Sequence, residues 1–190
     1  MNISIITDSL GMPRVEYGVE VFKEHTWPIL VKNGLPEANV FDYSMRARTI
    51  DTIVGPDFSE AVEFSCPDEV ILQIGVVDAM PRIFSKREKA WLSKRFVPVY
   101  LRNQIINYRK AHRSRITSKD PLAKVYTTPD RYEEILRKFI KRTRNSFPGC
   151  GIVLIPTLVN ETFVENKTPG AVINIIMYNK ILRDNAEQYD

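Results

Sequence analysis

Four short apolar runs, at residues 3–7, 39–43, 69–74 and 151–156, constrain this chain more than any other feature. Each is rich in Val, Ile or Leu and is bounded by Gly, Pro or Asp. An unbroken apolar run of this length suits a parallel strand covered on both faces. Helical patterns separate the runs. Residues 15–34 carry apolar positions at mixed spacing, with Pro28 near a helix start or break. Residues 50–64 form a weaker helical region interrupted at Gly55-Pro56. Residues 85–115 read as one long basic helix, kinked or divided at Pro98, with Trp91, Phe96, Tyr100 and Ile105 facing inward. Residues 130–147 put Tyr132, Ile135, Leu136, Phe139 and Ile140 on one face, after a Thr128-Pro129-Asp130 start. Residues 170–190 put Ile173, Ile176, Met177, Ile181 and Leu182 on one side of a last helix.

Strands alternating with helices predict a doubly wound parallel sheet. The expected fold is a flavodoxin-like three-layer α/β/α sandwich, strand order beginning 2-1-3-4, forming one domain over residues 1–190. Polar residues 110–125, with Pro121, are expected to loop over the functional edge. The chain stops at Asp190 after a helical pattern, where such a sheet usually continues. The carboxyl-terminal strand is therefore expected to be missing.

Composition excludes several classes. At 190 residues, 44% hydrophobic and 26% charged, the chain can build a real core and is neither disordered nor collagen-like. Its net charge of +4 gathers between residues 86 and 115 and between residues 137 and 144. Such clusters can mark a nucleic-acid or acidic-lipid surface, or the solvated face of long helices. With no aromatic-basic RNA-binding signature, the solvated face is preferred and no nucleic-acid partner is expected. Cys66 and Cys150 form no C-x-x-C pair and read as reduced, buried thiols. No run reaches membrane-spanning length and no basic leader precedes residue 3, so a cytoplasmic location without a membrane partner is expected. No residue cluster has metal-ligand spacing, and no Gly-rich phosphate loop is present, so neither metal nor cofactor is expected. Oligomeric state is left open.

The ends of the runs carry the chemistry. The first closes in Thr7-Asp8-Ser9-Leu10-Gly11, placing a serine where a parallel strand turns toward a helix. The carboxyl ends of strands form the functional edge of open α/β sheets, and N–H groups at a helix start can stabilise developing negative charge. Asp-Ser before a helix is equally a common N-cap. The third run closes in Gln73-Ile74-Gly75-Val76-Val77-Asp78, followed by Ala79-Met80-Pro81-Arg82. That spacing puts Asp78 and Arg82 at the same edge as Ser9.

Ile5-Ile6-Thr7-Asp8-Ser9-Leu10 resembles the first block of the SGNH/GDSL hydrolases, with Thr7 where that family has glycine. Gly75-Val76-Val77-Asp78 looks like the G-x-N-D block, with Val77 in place of asparagine. Asp42-Tyr43-Ser44-Met45-Arg46-Ala47 stands where the second block falls, Ser44 and Ala47 taking its glycines. Thr26-Trp27-Pro28 and Ala79-Met80-Pro81-Arg82 resemble a subgroup found among bacterial surface-polysaccharide genes. The resemblance implies Ser9 as nucleophile and the N–H groups of Ser9, Ala47 and Gly75 as an oxyanion hole. Asp8, Asp78 and Arg82 would be supporting residues. It also implies hydrolysis or transfer of a small acyl group, acetyl foremost, on a carbohydrate. The family's general base comes from a D-x-x-H motif, which this chain lacks. Its two histidines, His25 and His112, lie in charged stretches and read as surface residues. Either the chain is a fragment ending before that motif, or it is a degenerate member kept for binding carbohydrate or a partner. A nucleic-acid-associated protein using the basic helices is a third alternative.

Overall fold

The computed structural model describes residues 1–16, 19–122 and 125–189. A four-stranded parallel sheet is built from β1 (Asn2–Thr7), β4 (Asn39–Ser44), β5 (Glu69–Gln73) and β6 (Gly151–Leu154), in the order β4-β1-β5-β6. This is the 2-1-3-4 arrangement expected from the four apolar runs. Between β1 and β4 lie a two-stranded antiparallel ribbon, β2 (Arg14–Glu16) with β3 (Val19–Val21), and helix α1 (Trp27–Gly34). A 3-10 turn (Ile50–Val54), α2 (Pro56–Phe58) and one π-turn (Ser59–Glu63) then lead to β5. After β5 come α3 (Val76–Ala79), α4 (Lys86–Leu92), α5 (Val99–Ala111), α6 (Arg113–Lys119) and α7 (Pro129–Ser146). Two helices, α8 (Glu161–Lys167) and α9 (Ala171–Tyr189), follow β6.

Strand β1 is central, and Ile3 to Thr7 are all buried, so both its faces are covered. Alternate strand residues face opposite sides. On one side Ile6, Val70 and Leu72 join Ile135, Leu136 and Phe139 of α7 and Ile175, Tyr178 and Leu182 of α9 in the main core. The five α7 residues expected to face inward are all buried there. Phe139 meets Phe58 edge-on at 5.7 Å between centroids, and the Arg142 guanidinium lies 3.8 Å from the Phe58 ring centroid. Arg142 also pairs with Glu63 at 2.7 Å, and Arg137 with Glu133 at 2.6 Å, so part of the second basic run is internally neutralised.

Several expectations are corrected. Residues 15–34 are not one helix: a ribbon and a 3-10 turn precede α1, and β-branched valines at positions 15, 19 and 21 favour extended backbone. Residues 85–115 divide at Pro98, the N-cap of α5, as expected, and break a second time at His112 between α5 and α6. Trp91, Phe96 and Tyr100 are exposed, while Leu92 and Val97 turn inward. On α9 the inward face is Ala171, Asn174, Ile175, Tyr178, Leu182 and Asn185, leaving Ile173 and Ile176 exposed. Asn174 explains the shift, because its amide donates to Ala79 O at 2.9 Å and Pro121 O at 3.0 Å. Residues 110–125 contain helix α6 instead of a plain loop, and Ala123 and Lys124 lie outside the described residues. Both cysteines are unpaired, but only Cys150 is buried, its thiol pushed up to about 11 by burial; Cys66 is exposed. Among the described residues no helix is long and apolar enough to cross a membrane.

Phe139→Ala should lower unfolding free energy by about 3–5 kcal/mol, since it empties a fully buried aromatic site. Urea denaturation checks this. A loss below about 1 kcal/mol would contradict the α7 packing described.

Candidate active site

Parallel pairing fixes where the three motif loops emerge. Thr7 is in register with Ser44 on one side and Gln73 on the other. Beyond the strands the pairing continues: Asp8 N–H donates to Gln73 O at 3.3 Å, and Met45 N–H donates to Thr7 O at 3.1 Å. Ser9, Ala47 and Gly75 therefore leave the sheet at one edge, the carboxyl ends of β4, β1 and β5.

The first loop turns at once into a 3-10 helix, Ser9–Gly11. Its cap is Asp8, whose Oδ1 accepts from Leu10 N–H at 2.9 Å. The capping role open to Ser9 in the sequence is thus taken by its neighbour. Ser9 is half-buried, and its hydroxyl has no hydrogen-bond partner among the described residues. Gly11 lets the loop pack closely: a Cβ there would stand 2.2 Å from Thr7 Cγ2 and 2.8 Å from Ser44 Oγ.

The second loop is shaped by Asp42, whose Oδ1 accepts from Ser44 N–H at 3.0 Å and Ser44 Oγ at 2.5 Å. Arg46 reaches across to Pro13 O at 3.1 Å, tying this loop to the first. Ala47 has φ 57°, a left-handed backbone that favours glycine. In the third loop Gly75 has φ 134°, and a Cβ would lie 3.0 Å from the Tyr132 hydroxyl. That hydroxyl donates to Ile74 O at 2.7 Å, holding the loop from the α7 side. Among the described residues the N–H groups of Ser9, Ala47 and Gly75 donate to no acceptor, although Gly75 itself is buried.

Two buried carboxylates lie beneath this edge. Asp8 is pushed up to about 6 by burial, partly offset by the Leu10 N–H and the Arg14 charge. The Val76 N–H also lies close enough to this carboxylate to favour its charged form. Asp78 is also pushed up to about 6 by burial, although Thr127 Oγ1 donates to it at 2.5 Å and Ile50 N–H at 3.0 Å. Thr127 O in turn accepts from the Tyr178 hydroxyl. Asp78 therefore clamps the loops before α7 and after β4 onto the third loop. Arg82 donates to Val77 O at 2.8 Å and stacks 4.2 Å from the Tyr126 ring centroid, and burial lowers its pKa. Arg48, next to Ala47, is buried against Asp57 at 3.3 Å. Val77 carries no side-chain donor, so the position that resembles the family's asparagine adds none.

The histidines lie elsewhere. His25 is exposed in a 3-10 turn beside Phe22. His112 is exposed at the α5–α6 junction, its Nδ1 2.9 Å from Tyr108 O. Among the described residues no three His, Cys, Asp or Glu side chains gather as a metal site. Sequence reasoning missed Gln73, whose Oε1 accepts from Trp27 Nε1 at 2.8 Å and Thr7 Oγ1 at 3.3 Å. Trp27 belongs to the Thr26-Trp27-Pro28 motif, the one signal that could have found it. A cavity of about 380 Å³ opens at the same edge, with Leu10, Val76, Met80 and Arg82 on one wall and Leu158, Asn160 and Phe163 on the other. A larger one, about 490 Å³, lies between α4 and α5 around Trp91 and Tyr108 and includes none of the edge residues.

Raised carboxyl pKa values have a signed consequence. Between about 4 and 6 the folded state binds protons that the unfolded state has released, so stability falls as pH rises through that window. For Asp8 the loss is up to about 3 kcal/mol, complete above pH 6. Asp8→Asn keeps an acceptor for Leu10 N–H and removes the charge. Its stability relative to the parent should therefore rise by up to about 3 kcal/mol between pH 4 and pH 7, read by urea denaturation. A pH-independent difference would contradict the burial of Asp8.

No family model matches this chain, and no curated protein matches it. Solved structures do. LAE5, an alpha/beta hydrolase enzyme from the metagenome of Lake Arreo, is 18% identical with a TM-score of 0.60, matched over 98% of this chain and 72% of its own. A mutant of Axe2, an acetyl-xylooligosaccharide esterase from Geobacillus, is 17% identical with a TM-score of 0.58, over 98% and 71%. A protein described as GDSL-like, from Parabacteroides merdae, is 16% identical with a TM-score of 0.56, over 98% and 73%. At these identities the likeness establishes architecture: the chain has the parallel α/β fold of GDSL-type hydrolases.

Proposed function

We propose that this chain, as one domain, hydrolyses or transfers small acyl esters, acetyl foremost, with Ser9 Oγ as the attacking atom. One observation carries the reading. Ser9 stands at the carboxyl end of the central strand with its hydroxyl unbonded, beside loops that offer the unbonded N–H groups of Ala47 and Gly75. Attack by Ser9 Oγ on an ester carbonyl puts negative charge on the carbonyl oxygen. Ser9, Ala47 and Gly75 N–H groups would stabilise that charge, each donor being worth about 2.7–4 kcal/mol in comparable sites. The Ser9 proton passes to a base drawn from solvent and the tetrahedral intermediate expels the alkoxide, which takes a proton from solvent; water or a second hydroxyl then displaces the acyl group, losing its own proton as the serine hydroxyl is restored.

Serine is a poor nucleophile without a positioned base. Asp8 holds Leu10 N–H and is no base for Ser9, and both histidines are exposed elsewhere. That observation favours a second reading, a non-catalytic module that binds an acylated carbohydrate or a partner. Carbohydrate as the acyl carrier is supported by Thr26-Trp27-Pro28 and Ala79-Met80-Pro81-Arg82, whose Trp27 and Arg82 brace the edge.

Nitrophenyl acetate separates the two readings. Turnover by this chain should be feeble, about two to four orders of magnitude below that of a serine esterase with its base in place. Imidazole added as a diffusible base should raise the rate. The increment over a Ser9→Ala control at equal imidazole should be clear and saturable in ester. Identical rates for parent and Ser9→Ala at every imidazole concentration would overturn the enzymatic reading and leave the binding module.

A further inference from the structure

Four cationic residues from four different elements line the 380 Å³ cavity beside Ser9: Arg14 after the first loop, Arg82 after α3, Arg113 at the start of α6 and Lys167 at the end of α8. Among the described residues no carboxylate lines it. We propose that this cavity recognises an oxyanion, a carboxylate or phosphate carried by the same molecule as the ester, so that the substrate is an acylated anionic sugar. The proposal rests on the reading of Ser9 as nucleophile for the word substrate, but not for the anion site itself.

Three of these charges, Arg82, Arg113 and Lys167, are held in place without being neutralised. Arg82 is fixed by Val77 O and the Tyr126 ring, and its Nε has no hydrogen-bond partner. Arg113 donates to Thr168 Oγ1 at 2.8 Å, and its Nε is also without a partner. Lys167 lies 5.6 Å over the Phe163 ring. Among the described residues none of these three forms an ion pair. The carboxylates that feel the group are Asp8, facing Arg14, and Asp78, facing Arg82, both beneath the edge and outside the cavity lining. Carbonyls, hydroxyls and aromatic faces orient a guanidinium without cancelling its charge, and its fork matches carboxylate and phosphate geometry. The opposite wall is apolar, with Leu158, Val159 and Phe163, which suits the carbon skeleton of a sugar.

The test uses the whole chain. Amide NMR titrations are run with a free hexuronate, with inorganic phosphate and with a neutral hexose. Hexuronate, phosphate or both should shift Leu10, Val76, Asn160 and Thr168, with affinity falling as salt rises, while the neutral hexose should not. Which anion binds more tightly assigns carboxylate or phosphate. Arg113→Gln and Lys167→Gln, both at partly or fully exposed positions, should each weaken binding about tenfold, with the rest of the spectrum unchanged. Arg82→Gln should weaken it further. Absence of shifts with either anion, or unchanged affinity in Arg113→Gln and Lys167→Gln, would overturn the proposal. Ser9-dependent ester turnover is measured separately, so anion binding without turnover would sink the enzymatic reading alone, and turnover without anion binding would sink this inference alone.

Discussion

Everything at the functional edge depends on β1 being paired on both sides. A buried strand must satisfy its backbone groups through its neighbours, since an unpaired buried N–H or C=O is costly. With β4 and β5 both parallel to it, Thr7 is held between Ser44 and Gln73, and the ladder runs on to Asp8 and Met45. One register thus decides that the serine loop, the Ala47 loop and the Gly75 loop emerge together. A slip of one residue would turn Ile5 and Ile6 to opposite faces and break the core with the site.

The polar groups below the edge act as braces. Gln73 gathers Thr7 and Trp27, Tyr132 holds Ile74 O, and Asp78 joins Ile50 and Thr127. Burial keeps both Asp8 and Asp78 titrating near 6, well above the usual carboxylate range. Gln73 sits at the end of β5, Asp78 on α3 and Tyr132 on α7. Gly75, with its positive φ, sits directly against the Tyr132 hydroxyl, so the shape of the third loop is set by the core.

Much of this was legible from residue order. The four apolar runs place all four sheet strands, because a parallel strand buried on both faces needs unbroken hydrophobicity. The α7 face was legible because its apolar stripe is sharp. The α9 face was not: Asn174 and Asn185 are buried while Ile173 and Ile176 are exposed, so hydropathy points the wrong way wherever buried amides serve backbone carbonyls. Trp91, Phe96 and Tyr100 misled for the mirror reason, being apolar side chains on an exposed helical arm. At the site, residue types and spacing put Asp8, Ser9, Gly75, Asp78 and Arg82 at one edge, and Ala47 came from the resemblance to the second family block. Sequence could not reveal that Asp8, rather than Ser9, is the cap, nor that Ala47 adopts the left-handed backbone of a glycine position. Both follow from loop geometry that neighbouring strands impose.

The central claim is that the Ser9 hydroxyl, free of any capping bond, is the reactive group of this edge. Labelling with a fluorophosphonate, imidazole being supplied as base, followed by peptide mass mapping, tests it most directly. One adduct is expected, on Ser9, absent from Ser9→Ala and unaffected by substituting the other edge serine, Ser44. An adduct on Ser44 or another serine, or none on Ser9 after prolonged exposure, would contradict it.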